Sequence, residues 1–182
     1  MLNNRPFKKI NFKNVPADID IYVVSNDIIT AELKLKYGFD IKYSSDSFKK
    51  NSFIRSRLLI EILDLTRSKN MSISHTDNIS AITVSNNYLV GIDIENSFRN
   101  LTEKLSKRIL DKNDFLEIKP IQIWTLMESS YKCLNGKGKH FLKYVFNKKD
   151  KDYFLLENEK RISSVTHDLN GYTFGISFIQ DN

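Results

Sequence analysis

Apolar positions between Val15 and Ser25 alternate at Ile19, Ile21 and Val23, the period of a half-buried strand. Asp27 stands where a helix can start and Gly38 just beyond where it can stop, so a short helix through Tyr37 is expected. From Ser52 to Arg67 the period changes. Ile54, Leu58, Ile62 and Leu65 fall three or four residues apart and predict a helix with Arg55 and Arg57 near its start. Met71–His75 predicts a short strand. Ile79–Ser85 and Tyr88–Glu95 flank Asn86-Asn87, a pair that tolerates positive φ, and predict a hairpin. Helices are expected over Leu101–Leu110 and Pro120–Leu134. The second has proline at its first turn and an apolar face of Ile121, Trp124, Leu126/Met127 and Tyr131. Tyr153–Leu156, Ile162–Thr166 and Tyr172–Phe178 then predict a three-stranded meander. Asn170-Gly171 turns into its last strand, where Tyr172, Phe174, Ile176 and Phe178 point inward.

Each half of the chain thus runs strand, helix, strands, the order a duplicated half-domain would give, although no residue-level repeat shows a duplication. A length of 182 residues permits one ordinary domain or two small ones. Gly 6 and Pro 3 exclude linker-like or collagen-like composition, and the many Ile, Leu and Phe exclude intrinsic disorder. Lys plus Arg is 28 against 22 for Asp plus Glu, a net charge of +6, which favours an anionic partner without choosing one. The single cysteine, Cys133, can form neither an internal disulfide nor a cysteine zinc site and fits a reducing compartment. No apolar run reaches the length of a membrane span, and the first residues lack the apolar core of a signal peptide. A cytoplasmic protein with no membrane partner is expected.

Candidate chemistry lies in three stretches. In Gly91-Ile92-Asp93-Ile94-Glu95, residues two apart on a strand share a face, about 6.8 Å from one another. Ile92 and Ile94 then face the core, and Asp93 and Glu95 share the open face. Two carboxylates so placed repel unless a cation lies between them, and oxygen ligands suit Mg²⁺. A solvated edge strand shows the same alternation. In Trp124 to Lys132, Glu128 and Lys132 stand four apart on one helix face, where a surface ion pair is the plain alternative. In Met71-Ser72-Ile73-Ser74-His75, the serine and histidine close a strand and could meet phosphate. His140 and His167 occupy no ligand spacing and are expected to be structural or exposed. Asn135 to Lys139 is a basic, glycine-containing loop without Walker spacing.

Taken in order, Ser72-Ile73-Ser74-His75, Gly91-Ile92-Asp93-Ile94-Glu95 and Trp124 with Glu128-Ser129 and Lys132 resemble the signatures of the 4′-phosphopantetheinyl transferase superfamily, surfactin-synthetase-activating type. The resemblance is motif-deep from about residue 52 to 140. It implies an α+β fold of two pseudo-symmetric halves with antiparallel strands, residues 1–90 and 91–182, with the site between them. It implies transfer of phosphopantetheine from coenzyme A to a serine of an acidic acyl, peptidyl or aryl carrier protein. By that resemblance Asp93, Glu95 and Glu128 hold Mg²⁺, and Glu128 accepts the serine proton directly or through water. Lys132 stabilises phosphate and leaving-group charge, Ser74 and His75 bind coenzyme A phosphate, and Arg55 or Arg57 meets the 3′-phosphate. The family usually places Lys directly before the helix Glu, where this chain has Met127.

Two other readings use the same residues. One is a metal-dependent phosphodiesterase or nuclease, although the Lys would then follow closely along the strand. The other is a relative that binds coenzyme A or a carrier without turnover. Nucleic-acid binding is not expected, because no basic helix or aromatic RNA-binding motif appears.

Overall fold

In a computed structural model of the chain, residues 7–37, 56–57, 59–61, 63–76, 78–113, 116–137, 140–149, 152–157 and 159–181 are described. The fold is α+β, with two antiparallel sheets. The first contains β1 (Phe7–Ile10), β2 (Asp20–Ser25), β3 (Asn70–His75) and β4 (Ile79–Ser85), in the order β1-β2-β4-β3. The second contains β5 (Tyr88–Asn96), β6 (Asn147–Lys149), β7 (Asp152–Glu157), β8 (Lys160–Leu169) and β9 (Tyr172–Gln180), in the order β5-β9-β8-β7-β6. The helices are α1 (Asn26–Tyr37), α2 (Glu103–Leu110) and α3 (Pro120–Cys133). No helix among the described residues is long and apolar enough to cross a membrane.

The expected β7–β8–β9 meander is present. Asn170 and Gly171 take φ of 52° and 81°, the paired left-handed conformations whose twist matches that of the strands they join. Of the helices in the second half, α3 starts at Pro120 as expected and α2 starts at Glu103, two residues after the expected Leu101. Thr102 caps α2 by accepting from the Leu105 N–H, and Pro120 opens α3 while the Gln122 side chain accepts from the Lys119 N–H at 2.9 Å.

Three expectations need correction. The strand foreseen from Val15 starts at Asp20, because residues before it close on themselves through Val15 N–H to Phe12 carbonyl and Ile19 N–H to Pro16 carbonyl bonds. The helix foreseen through Arg67 turns off at Asp64, whose φ is 52°. The bonds Leu65 N–H to Ile60 carbonyl and Asp64 N–H to Glu61 carbonyl form a Schellman stop, with Leu65 tucked into the core. Of that helix, Arg57 is exposed on the described part, and Arg55 lies outside the described residues. Finally, β4 and β5 do not pair. Both edges of β4 are already taken by β2 and β3, so Asn86-Asn87 hands the chain from one sheet to the other.

The sheets stack. Ile19, Ile21 and Ala81 of the first half pack against Val90, Ile92, Ile94, Val165, Phe174 and Ile176 of the second sheet. On the outer face of the first sheet, Val24, Ile82 and Val84 meet Ile29 of α1, Leu59 and Leu65. On the opposite side, α3 covers the second sheet and packs with Ile109, Leu116, Tyr144, Phe146, Leu155 and Ile162. Helix, sheet, sheet and helix therefore form four layers.

Candidate active site

Gly91, Asp93 and Glu95 share the face of β5 that lies under α3. The contact is backbone to backbone: a Cβ on Gly91 would fall 1.9 Å from the Ser129 carbonyl oxygen, and one on Gly175 of β9 2.3 Å from that of Thr125. Small polar side chains fill the seam, where Ser177 Oγ lies 2.8 Å from Ser129, 3.0 Å from Ser130 and 2.8 Å from Ser164 hydroxyls. This close seating sets Glu128 and Lys132 of α3 over β5. It also corrects the expectation of an open face, because Asp93 is only 5% exposed. Period-two alternation states which side a residue takes and not what covers it.

Asp93 Oδ1 accepts from Lys132 Nζ at 2.7 Å and from Ser74 Oγ at 2.9 Å. Its other oxygen, Oδ2, is buried with no hydrogen-bond partner among the described residues. Burial raises the proton affinity of Asp93; the Lys132 charge and hydrogen bond oppose this, and the Glu95 charge adds to it. Glu95 Oε1 accepts from the Arg99 guanidinium and from the Trp124 indole N–H at 3.2 Å. Glu128 is partly buried. Its carboxyl is pushed above the usual range by burial and then by the negative charge of Asp93, while Lys132 pulls it down. Trp124 and Tyr131, on the same helix, pack against Phe141 with ring centroids 5.4 and 5.8 Å away.

Ser74 and His75 come from β3, an edge of the first sheet next to β5. Ser72 and Ser74 accept from the Ile92 and Ile94 backbone N–H groups at 3.1 and 3.3 Å, supplying side-chain partners to the edge of β5 that no strand covers. The His75 tautomer follows from its neighbours. Ser80 gives its hydrogen to Asn26 Oδ1 at 2.6 Å, so His75 Nδ1–H donates to Ser80 at 2.6 Å and Nε2 faces Ser56 Oγ at 3.0 Å. His167 is half-buried, stacked on Phe12 with centroids 4.6 Å apart, and His140 is exposed; neither joins the site.

The structure therefore brings Ser74, Asp93, Glu95, Glu128 and Lys132 together. Sequence reasoning missed Arg99 and the indole donor of Trp124. Arg99 follows Glu95 by four residues across a turn, a spacing with no meaning outside a helix. Among the described residues, no three His, Cys, Asp or Glu side chains form a ready metal cage. Lys132 and Arg99 neutralise Asp93 and Glu95 instead. The donor chemistry still fits a hard divalent cation, with three carboxylates in electrostatic contact and one buried carboxylate oxygen lacking a partner. No protein-family model matches the chain, and no curated protein matches it.

Proposed function

We propose that the protein is an Mg²⁺-dependent 4′-phosphopantetheinyl transferase. It takes coenzyme A, transfers the phosphopantetheine arm to a serine hydroxyl of an acidic acyl, peptidyl or aryl carrier protein, and releases adenosine 3′,5′-bisphosphate. The supporting observation is the meeting of Asp93 and Glu95 with Glu128 and Lys132, two signatures far apart in sequence, at one seam between β5 and α3. The two halves that the resemblance implies, residues 1–90 and 91–182, correspond approximately to the two stacked sheets, with the chain crossing between them at Asn86-Asn87 and β5 lying wholly in the second. A cytoplasmic setting suits Cys133, a buried thiol pushed up to about 12 by burial.

The transfer makes a bond from the carrier serine oxygen to phosphorus and breaks the phosphorus–oxygen bond to the departing nucleotide. Glu128, with its raised proton affinity, takes the serine proton directly or through water. Asp93, Glu95 and Glu128 would hold Mg²⁺, which supplies neutralisation of pyrophosphate charge. Lys132 adds a cation beside Asp93, and by the family resemblance His75 and Arg57 would bind coenzyme A phosphate.

The test is incubation with coenzyme A, Mg²⁺ and apo acyl, peptidyl and aryl carriers, followed by carrier mass. A phosphopantetheine gain that EDTA abolishes is expected. Coenzyme A binding without any mass gain would identify a relative that binds without turnover. Mg²⁺-dependent cleavage of nucleic acid without coenzyme A would replace the proposal with a nuclease.

A further inference from the structure

We infer that Ser74 and Lys132 are positioning residues for Asp93 rather than ligands of a coenzyme A phosphate, a role that rests on the transferase reading. A serine hydroxyl has one hydrogen and two lone pairs. Ser74 gives its hydrogen to Asp93 Oδ1 at 2.9 Å and accepts from Lys132 Nζ at 3.1 Å and from the Ile94 N–H at 3.3 Å. Its capacity is filled, and it is 6% exposed. An ammonium group has three hydrogens. Those of Lys132 go to Asp93 Oδ1 at 2.7 Å, Ser74 Oγ at 3.1 Å and the Ile92 carbonyl at 3.2 Å. Each group saturates the others, so neither has a donor to spare for a phosphate.

The lock commits Asp93 Oδ1 to the protein. Oδ2, buried and without a protein partner among the described residues, is the atom left for an external cation. Ser72 provides an internal control. It accepts from the Ile92 N–H at 3.1 Å, the same sheet-to-sheet stitch that Ser74 makes to Ile94, but it makes no hydrogen bond to Asp93.

Titration calorimetry separates the roles, with coenzyme A titrated in EDTA and Mn²⁺ titrated in the presence of coenzyme A. Ser74→Ala should leave coenzyme A affinity within about twofold and weaken Mn²⁺ about 10- to 100-fold, the usual loss when a ligand's hydrogen-bond partner is removed. Ser72→Ala should change neither by more than about twofold, and Ser74→Thr, which keeps the hydroxyl, should recover Mn²⁺ affinity. Tenfold weaker coenzyme A binding by Ser74→Ala with Mn²⁺ unchanged would overturn the assignment, as would equal Mn²⁺ losses in Ser72→Ala and Ser74→Ala. A wild-type protein that binds neither coenzyme A nor Mn²⁺ overturns the transferase reading instead. The bracing of Asp93 is then decided by urea midpoints of Ser74→Ala, Asp93→Ala and the double variant in a Lys132→Met background, which leaves no unpaired ammonium. A double shift smaller than the sum of the singles supports the brace, and additive shifts refute it.

Discussion

Glu128 holds its proton more tightly than an ordinary glutamate because it is partly buried and faces the charge of Asp93, and to a lesser degree that of Glu95. The sign follows directly. A carboxyl raised in the folded state binds more protons there than in the unfolded chain, so its ionisation at neutral pH costs stability, and that cost is relieved as pH falls through the raised value. A metal ligand must be ionised, so Mg²⁺ competes with the tightly held Glu128 proton and should bind more tightly as pH rises. Mn²⁺ titration calorimetry between about pH 5 and 7 checks this, and an affinity that does not rise with pH would remove Glu128 from the metal. Its neighbour Met127 faces the other way, 1% exposed among Ile123, Leu126, Tyr144 and Phe146. Restoring the Lys found there in the resembling family should therefore harm the protein. Met127→Lys buries an ammonium without a partner and should cost about 3–5 kcal/mol, read as a lower urea midpoint. A variant as stable as wild type would show that the side chain escapes to solvent.

At the scale of elements, the site depends on how α3 lies on β5 and β9. Gly91→Ala places a methyl 1.9 Å from one helix backbone atom and 2.5 Å from another, so the whole helix must lift. The loss should reach or exceed the roughly 1–3 kcal/mol of ordinary overpacking. Transfer should fall with it, since Glu128 and Lys132 move with the helix; urea melts and activity together test this. The segment 11–19 is a second fixture, held across the sheet by the Phe12–His167 stack and by His167 Nε2–H donating to the Lys13 carbonyl at 3.1 Å. Burial lowers the His167 pKa, with the Lys13 carbonyl and Asp168 opposing. A depressed histidine contributes stability fully above its unfolded value of about 6.5 and loses it as pH falls through the folded value. The urea midpoint should therefore drop between pH 7.5 and 5.5, and His167→Gln should flatten that slope. Elements with strong local signals were legible in the sequence: Pro120 marked the start of α3, Asn170-Gly171 the β8–β9 turn, and the alternation from Tyr172 the strand β9. Asn86-Asn87 was legible as a turn, but its partner strands were not, because pairing was decided by β2 and β3 already occupying β4. Likewise Asp93 was legible as a candidate beside Glu95 on one strand face, and its burial was not. The cover comes from a helix some thirty residues later, admitted by the missing side chain of Gly91. Arg99 gave no signal at all, since only the fold brings a residue across a turn onto Glu95.

For the molecule as a whole, neither sheet is closed without the other. Val90, Ile92, Ile94, Val165, Phe174 and Ile176 are covered by Ile19, Ile21 and Ala81. At about 1.5–3 kcal/mol for each large apolar side chain returned to water, uncovering that face would consume most of the roughly 5–15 kcal/mol by which a typical domain is stable. The edge of β5 would lose its serine acceptors as well, leaving the Ile92 and Ile94 N–H groups without the bonds that Ser72 and Ser74 now provide. Two halves joined by so short a crossover resemble separable modules on a topology diagram, yet the core between them belongs to both. Residues 1–87 and 88–182 produced separately should each lack a cooperative urea transition, and co-expression should restore one. A sharp transition from 88–182 alone would show that α3 and the meander suffice. In that case the carboxylates of Asp93, Glu95 and Glu128 would sit on an independent domain, and the first half would contribute Ser74 to the site without holding it together.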